Sequence, residues 1–502
     1  ENWEVFVASV EGGDLVRLTS DDQHDLFPTF LSPSSILVIK GEGRHRRSYV
    51  YDLETRRPQR LFHNNTIRTV SPEYTWAVSP NGSMVAIVSE RDGDTISPER
   101  SLHVVDLGQV LPIEKVQERL GAQLAAEQQL REDGARAFQP IAADVKAVVA
   151  DVSRTRIYEY ERDLFAFGSK FITQPGNGLA IRYIADKLRS FGYEPELQWF
   201  EPRSGIQSAN IIATLPGTLD PHLVYVISSH FDSVERGPGA DDNTSGTTAL
   251  LEAARVLKDH PMPRTIQFAF FTGEEAGLLG SRHFVREAVT NDVQLLGALN
   301  NDMVGYANDA RLDNTIRYSN AGIRDIQHAA AFLFTDLVTY DAKYYKSTDA
   351  HSYYEAYGDI VGGIGSYPIL ANPHYHQTHD VLETINHQLV AEVSKTTVAT
   401  IMFMASGTAR LESVTADRSG SDVTVAWSEP LESGIANYVL FVWDESGEVE
   451  QVQVYKPEDP EFAPRSATLS GVSPGATVGV KAWVHGANGV IGSWDWARAI
   501  VP

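Results

Sequence analysis

Three times in the middle of this 502-residue chain an apolar run ends on an imidazole or a carboxylate: HLVYVISSHFDS (222–233), RTIQFAFFTGEE (264–275) and LLGALNND (295–302). An unbroken run such as Leu223–Ile227 has no polar face. As a strand it must be covered on both sides, which is the situation of a parallel sheet between helix layers. The stretches between the runs supply helices, one of them predicted from about Thr247 to Lys258 and stopped by Pro261 and Pro263. Alternating β and α units imply a mostly parallel mixed sheet covered by helices. Such sheets present reactive side chains just outside the carboxyl ends of their strands.

The polar residues at those ends form a pattern. His230 closes the first run, and Asp232, two positions further along an extended segment, shares its face and can orient the imidazole. The turn GPGADDNTSG (237–246) carries Asp241 and Asp242 ahead of the helix. Acids in that place are also ordinary helix caps. Two successive carboxylates in a glycine-flanked turn nevertheless suit a ligand that bridges two cations about 3.5–4 Å apart, and the bridging role is assigned to Asp241. The second run ends in Glu274 and Glu275. An acidic first turn of a helix is the plain alternative, but adjacent carboxylates diverge, so one can bind metal while its neighbour serves as general base. The third run ends at Asp302, and the Pro-bounded loop NPHYHQTHD (372–380) holds His374, His376 and His379, among which composition does not choose. Each feature alone is ordinary; acids and imidazoles at successive strand ends together point to a co-catalytic metal hydrolase.

The segments HFDS (230–233), GADDNTSG (239–246), FFTGEEAGLLGS (270–281), NNDMVG (300–305) and NPHYHQTHD, in this order and spacing, resemble the M28 family of zinc aminopeptidases. The resemblance implies an α/β zinc-exopeptidase core and two Zn²⁺ ions per chain. It makes His230 and Asp302 ligands of one zinc, Glu275 and His376 ligands of the other, Asp241 the bridge, and Glu274 the general base, with Asp232 orienting His230. It also implies a cis peptide between Asp241 and Asp242, and a hydrogen bond from Tyr375 to the developing oxyanion, with Tyr353, Tyr354 and Tyr367 as competitors for that part. The stretch STDAHSYY (347–354) resembles the family's Ser-Asp-His but places Ala350 between Asp349 and His351, which leaves those two as supporting groups and not ligands. The implied reaction removes N-terminal residues from peptides, with a metal-bridged hydroxide as nucleophile and Glu274 shuttling its proton. Carboxypeptidases and a single-zinc glutaminyl cyclase share the fold; the cyclase needs one metal, which a five-ligand set exceeds.

The chain is long enough for several domains. Residues 143–408 are read as the peptidase domain. Within it, two helices are expected around a turn at Pro175 to Gly178. Residues 1–112 are β-rich, and LVRLTSDD (15–22) with PQRLFHNN (58–65), and TFLSPSSILVIKGE (29–42) with AVSPNGSMVAIVSE (77–90), resemble TolB or PD40 propeller repeats, too few to close a ring. Residues 113–142, rich in Ala, Glu, Gln and Leu, read as a helical linker. Residues 409–502 resemble a fibronectin type III sandwich, with Trp427 and Tyr438 as core aromatics and Val478 where that family usually has tyrosine. Trp443, Trp483, Trp494 and Trp496 are either core or a surface for polymer or cell-wall contact.

Charge and cysteine content exclude several classes. With 66 acidic against 42 basic residues the net charge is −24, which opposes binding to nucleic acid or an anionic membrane. No cysteine is present, so disulfides and thiolate ligands are excluded. No membrane-spanning segment is read, and a chain beginning at Glu1 without an initiator Met suggests a secreted or periplasmic protein whose signal peptide was removed.

Overall fold

The computed structural model describes residues 3–20, 24–41, 46–61, 68, 73–90, 100–108, 112–307, 311–367, 372–445, 447, 449–456 and 465–502. An eight-stranded sheet forms its centre. In chain order its strands are β1 (Glu196–Arg203), β2 (Ile206–Leu215), β3 (Asp220–His230), β4 (Arg264–Phe271), β5 (Gln294–Asp302), β6 (Asp313–Arg317), β7 (Val338–Ala342) and β8 (Val361–Ser366). Side by side they run β1-β2-β4-β3-β5-β8-β6-β7. The middle pairs β4-β3, β3-β5 and β5-β8 are parallel, as is β6-β7, while β1-β2, β2-β4 and β6-β8 are antiparallel.

The reason for the unbroken apolar runs is visible in β3. Leu223, Tyr225 and Ile227 enter the larger core cluster, with residues of α4 (Pro175–Ser190), α5 (Gly246–Leu257) and α9 (His387–Ser406). Val224 and Val226 enter a second cluster on the other face, with Phe284 and Val285 of α6 (Leu279–Thr290) and Tyr353 of α8 (Ala350–Tyr357). Successive side chains of one strand thus serve two helix layers. Among the described residues α9 is long and apolar enough to cross a membrane, but 89% of that window is buried inside the protein. It is a core helix, and its buried hydroxyls are hydrogen-bonded, with Ser394 Oγ donating to Ala249 O of α5 at 2.9 Å.

The expected turn at Pro175–Gly178 is the first turn of α4, preceded by α3 (Arg154–Phe165). Proline fits there because its fixed φ suits a helix start and its missing N–H would have had no intrahelical partner.

The flanking regions are β. Residues before 107 form a two-stranded ribbon, a four-stranded sheet over Asp25–Arg60 and a three-stranded sheet over Glu73–Asp106, all antiparallel. Leu37 of one sheet packs with Val85 and Ile87 of the other. The end of the PQRLFHNN repeat lies outside the described residues. Helix α1 (Ile113–Phe138) follows and is tied to the N-terminal region by the Arg68–Glu127 ion pair at 2.6 Å. After α9, a three-stranded and a five-stranded antiparallel sheet share one core that includes Val423, Val425, Leu440, Leu469, Val478 and Val480. Trp427 and Tyr438 are both buried in it with ring centroids 5.4 Å apart. Trp494 belongs instead to the larger core cluster of the central sheet, and its indole N–H donates to the Tyr225 hydroxyl at 3.2 Å. Trp443, Trp483 and Trp496 are half-buried.

Candidate metal centre

Parallel register brings the three strand ends to one level. His230 of β3 pairs with Phe271, the last residue of β4, and Ser228 pairs with Asn300, two residues before Asp302. The turn between β3 and α5 completes the floor. Gly239 there has φ +60, and any Cβ on it would collide with the carbonyl oxygen of Asp242, so the turn requires glycine. The amides of Asp241 and Asp242 donate to the two oxygens of Asp380, at 2.9 and 3.0 Å.

Among the described residues, two triads that could hold a metal ion result, and they share Asp242. His230 Nε2 is 3.4 Å from Asp242 Oδ1 and 3.5 Å from Asp302 Oδ1. His376 Nε2 is 3.2 Å from Asp242 Oδ2 and 3.1 Å from Glu275 Oε2. The two oxygens of one carboxylate therefore face two different imidazoles.

The bridging assignment moves by one residue. Asp241 turns away from the triads and is fully buried. Its Oδ1 accepts from the amides of Gly305 and Tyr306 at 2.8 and 3.1 Å, and its Oδ2 from Asn372 Nδ2 at 2.7 Å. Its charge is used to hold the loop after β5 and the loop before His376. The cis peptide likewise joins Asp242 to Asn243, not Asp241 to Asp242.

The other expected residues fall as follows. Glu274 lines the same cavity of about 440 Å³ as the triad residues. Asp232 accepts from the amides of Glu274 and Glu275 at 3.2 and 3.3 Å, and its Oδ1 lies 3.5 Å from His230 Nδ1. It thus positions the histidine and the glutamate pair together. Tyr375 stacks on His376 with centroids 3.7 Å apart and lines the cavity. Its competitors lie elsewhere: Tyr353 is buried among Phe271 and Phe284, Tyr354 packs on Tyr345, and Tyr367 stacks on Tyr340. His374 and His379 are 2.8 Å apart, Nδ1 to Nδ1, outside the triads. His351 faces Glu355 at 3.3 Å. Asp349 is fully buried, neither oxygen accepts a hydrogen bond, and burial pushes its carboxyl up to about 7. Asp380 was not anticipated; its only trace in the sequence is an acid four residues after His376.

The electrostatics are those of a cation site. Burial disfavours charge on His230, but Glu274 and the carboxylates of Asp232, Asp242 and Asp302 outweigh it and hold the imidazole pKa well above its ordinary value. Burial is also opposed at His376, which Asp242 and Glu275 push up to about 10. Asp242 is held below the usual carboxylate range because the two imidazoles overcome its desolvation. Burial, with Asp242 nearby, raises Glu275 to about 7, and burial also raises Glu274 well above its ordinary value, helped by Asp349, Asp302 and Glu275. Glu275 Oε1 and Asp302 Oδ1 are buried with no hydrogen-bond partner. Nitrogen and oxygen donors converging in triads, with orphaned buried acceptors among them, are the donor set that zinc would take.

The raised imidazole pKa values of His230 and His376 favour protons at the Nε2 positions that metal would take, so zinc uptake would release protons. The apparent zinc affinity of metal-free protein is expected to rise by at least about tenfold per pH unit between about pH 6 and 8. Competition titrations against a chromophoric chelator at several pH values measure this; a flat profile would mean that the histidines are not ligands.

Residues 210–401 match the model of peptidase family M28. All of the residues of both triads lie inside that matched stretch. A probable zinc metalloprotease of Pyricularia oryzae is 27% identical over 372 residues, 59% of this chain and 73% of that protein. Leucine aminopeptidase 1 of Trichophyton rubrum is 31% identical over 225 residues, 40% of this chain and 60% of that protein. The chain spans less than two thirds of the length of several other relatives that it matches. Among solved structures, the LapA aminopeptidase of Legionella pneumophila aligns with a TM-score of 0.46 at 21% identity, covering 53% of this chain and 74% of that one.

Proposed function

We propose that this protein is a zinc-dependent aminopeptidase with a co-catalytic pair of zinc ions, removing N-terminal residues from peptides. The observation that carries the reading is the sharing of Asp242 between two triads with Glu274 on the same cavity wall. The M28 match, the zinc metalloprotease of Pyricularia and the leucine aminopeptidase of Trichophyton support it. Zinc held by the triads supplies Lewis acidity and a more acidic water. Glu274, on the cavity wall beside the triads and in neither of them, accepts a proton from the attacking water and returns it to the departing amine. Tyr375, which lines the cavity beside His376, is assigned as hydrogen-bond donor to the oxygen that gains charge. The acidic cavity wall receives the free α-ammonium of the substrate. Two triads exceed what a single-metal cyclase uses.

The flanking regions are assigned by the same reasoning. The C-terminal pair of sheets is read as a fibronectin type III-like sandwich, and the N-terminal sheets as propeller-like units. Both are accessory domains suited to polymer or cell-surface contact, in a secreted or periplasmic protein.

One peptide offered in free, N-acetylated and C-amidated forms tests the activity. Mass spectrometry should show stepwise loss from the free amino end that acetylation blocks, amidation leaves unchanged, and a chelator stops. Cleavage from the carboxyl end, internal cleavage or cyclisation would replace the aminopeptidase reading.

A further inference from the structure

Arg317, the last residue of β6, has no part in the steps above. Its side chain is 5% exposed and lines the cavity that holds Glu274 and the triads. Nη2 donates to Ser366 Oγ at 3.3 Å, and the guanidinium carbon lies 5.6 Å from the centroid of the Tyr344 ring. Nε and Nη1 make no hydrogen bond. The ion pair from Nη1 to Asp302 Oδ2 spans 3.8 Å, beyond hydrogen-bond length, and Asp302 is committed to the first triad. The neighbouring strand makes room for the group: a Cβ on Gly365 of β8 would collide with the guanidinium carbon.

A buried guanidinium with unused donors is unfavourable by itself. Its planar fork matches one ligand chemistry closely, a carboxylate taken by two parallel hydrogen bonds. Arg317 is also the one described lining residue with a permanent positive charge; the other ionisable groups facing the cavity are acids, imidazoles and two tyrosines.

We propose that Arg317 forms a carboxylate subsite of the substrate cavity, binding a carboxylate held next to the scissile bond. That carboxylate comes either from an acidic side chain on the N-terminal residue or from the free carboxyl end of a dipeptide. The inference rests on the aminopeptidase reading and narrows its substrate class.

Two matched pairs test it: a peptide beginning with Glu against the same peptide beginning with Gln, and a dipeptide against its C-terminal amide. In the unmodified protein the carboxylate member of one pair is expected to be favoured in kcat/KM by roughly 10- to 100-fold, the range for a hydrogen bond to a charged group. The favoured pair identifies the source. Arg317→Met should bring that ratio close to one, and Arg317→Lys should leave it in between. A residue that merely props Asp302 would slow all four substrates alike and lower zinc content without moving the ratio. Ratios near one in the unmodified protein, or a ratio that survives Arg317→Met, overturn the subsite and leave the aminopeptidase standing. If no peptide is cleaved, the aminopeptidase reading fails separately. Calorimetric binding of the four compounds to zinc-loaded Glu274→Gln protein, with and without Arg317→Met, then decides: affinity that depends on both the carboxylate and Arg317 upholds the subsite, and equal affinities overturn it.

Discussion

Replacing Glu274 by Gln is expected to lower kcat by roughly 10²- to 10⁴-fold, the usual worth of a positioned general base, while both zinc ions remain bound. The reason is positional. Glu274 shares a cavity with the triads but belongs to neither of them. Its backbone amide is held by Asp232, so the side chain is aimed without being committed to metal. Gln keeps the shape and removes the proton acceptor. Turnover of a peptide and zinc content by elemental analysis should be measured on the same preparation. Loss of zinc along with activity would make Glu274 a ligand, and retained activity would remove it from the reaction.

Asp242→Ala is expected to weaken zinc binding at both positions by more than about 100-fold, since losing only an outer partner of a ligand already costs about 10- to 100-fold. No other described residue belongs to both triads. Asp241→Asn makes the informative contrast. Asp241 holds two loops through three backbone or side-chain donors, so its loss should lower the melting temperature, with hydrogen bonds to a charged group worth about 1.5–3 kcal/mol each. Zinc stoichiometry should stay at two in that variant at saturating metal. If Asp241→Asn loses zinc and Asp242→Ala keeps it, the bridge is Asp241 after all.

These two adjacent aspartates also show where reading the chain reaches its limit. The ends of β3, β4 and β5 were legible because a parallel strand buried on both faces leaves a local signature, and His230, Glu274, Glu275 and Asp302 follow those runs directly. Direction within a turn leaves none. Asp241 and Asp242 have the same side chain, share glycine-rich neighbours and differ by a single position in their distance from the helix. Which one joins the triads is set by Asp380, Asn372, Gly305 and Tyr306, all distant in sequence. The choice among three histidines has the same origin: His374 and His379 pair with each other, and His376, at φ +58, is turned into the cavity between Asp242 and Glu275. Arg317 gave no signal, because an arginine closing a short strand is ordinary until Gly365 and the cavity are seen beside it.

The sequence by itself determined the helix-covered α/β sheet, the strand ends that carry the chemistry, and the types of donor available, with thiolates excluded by the absence of cysteine. Only the tertiary structure decided which carboxylate is shared, which histidine joins it, and that a buried guanidinium faces the same cavity. Periodicity and hydrophobicity are properties of neighbouring residues and set elements locally, whereas the aim of a side chain depends on hydrogen bonds to residues that only folding brings near.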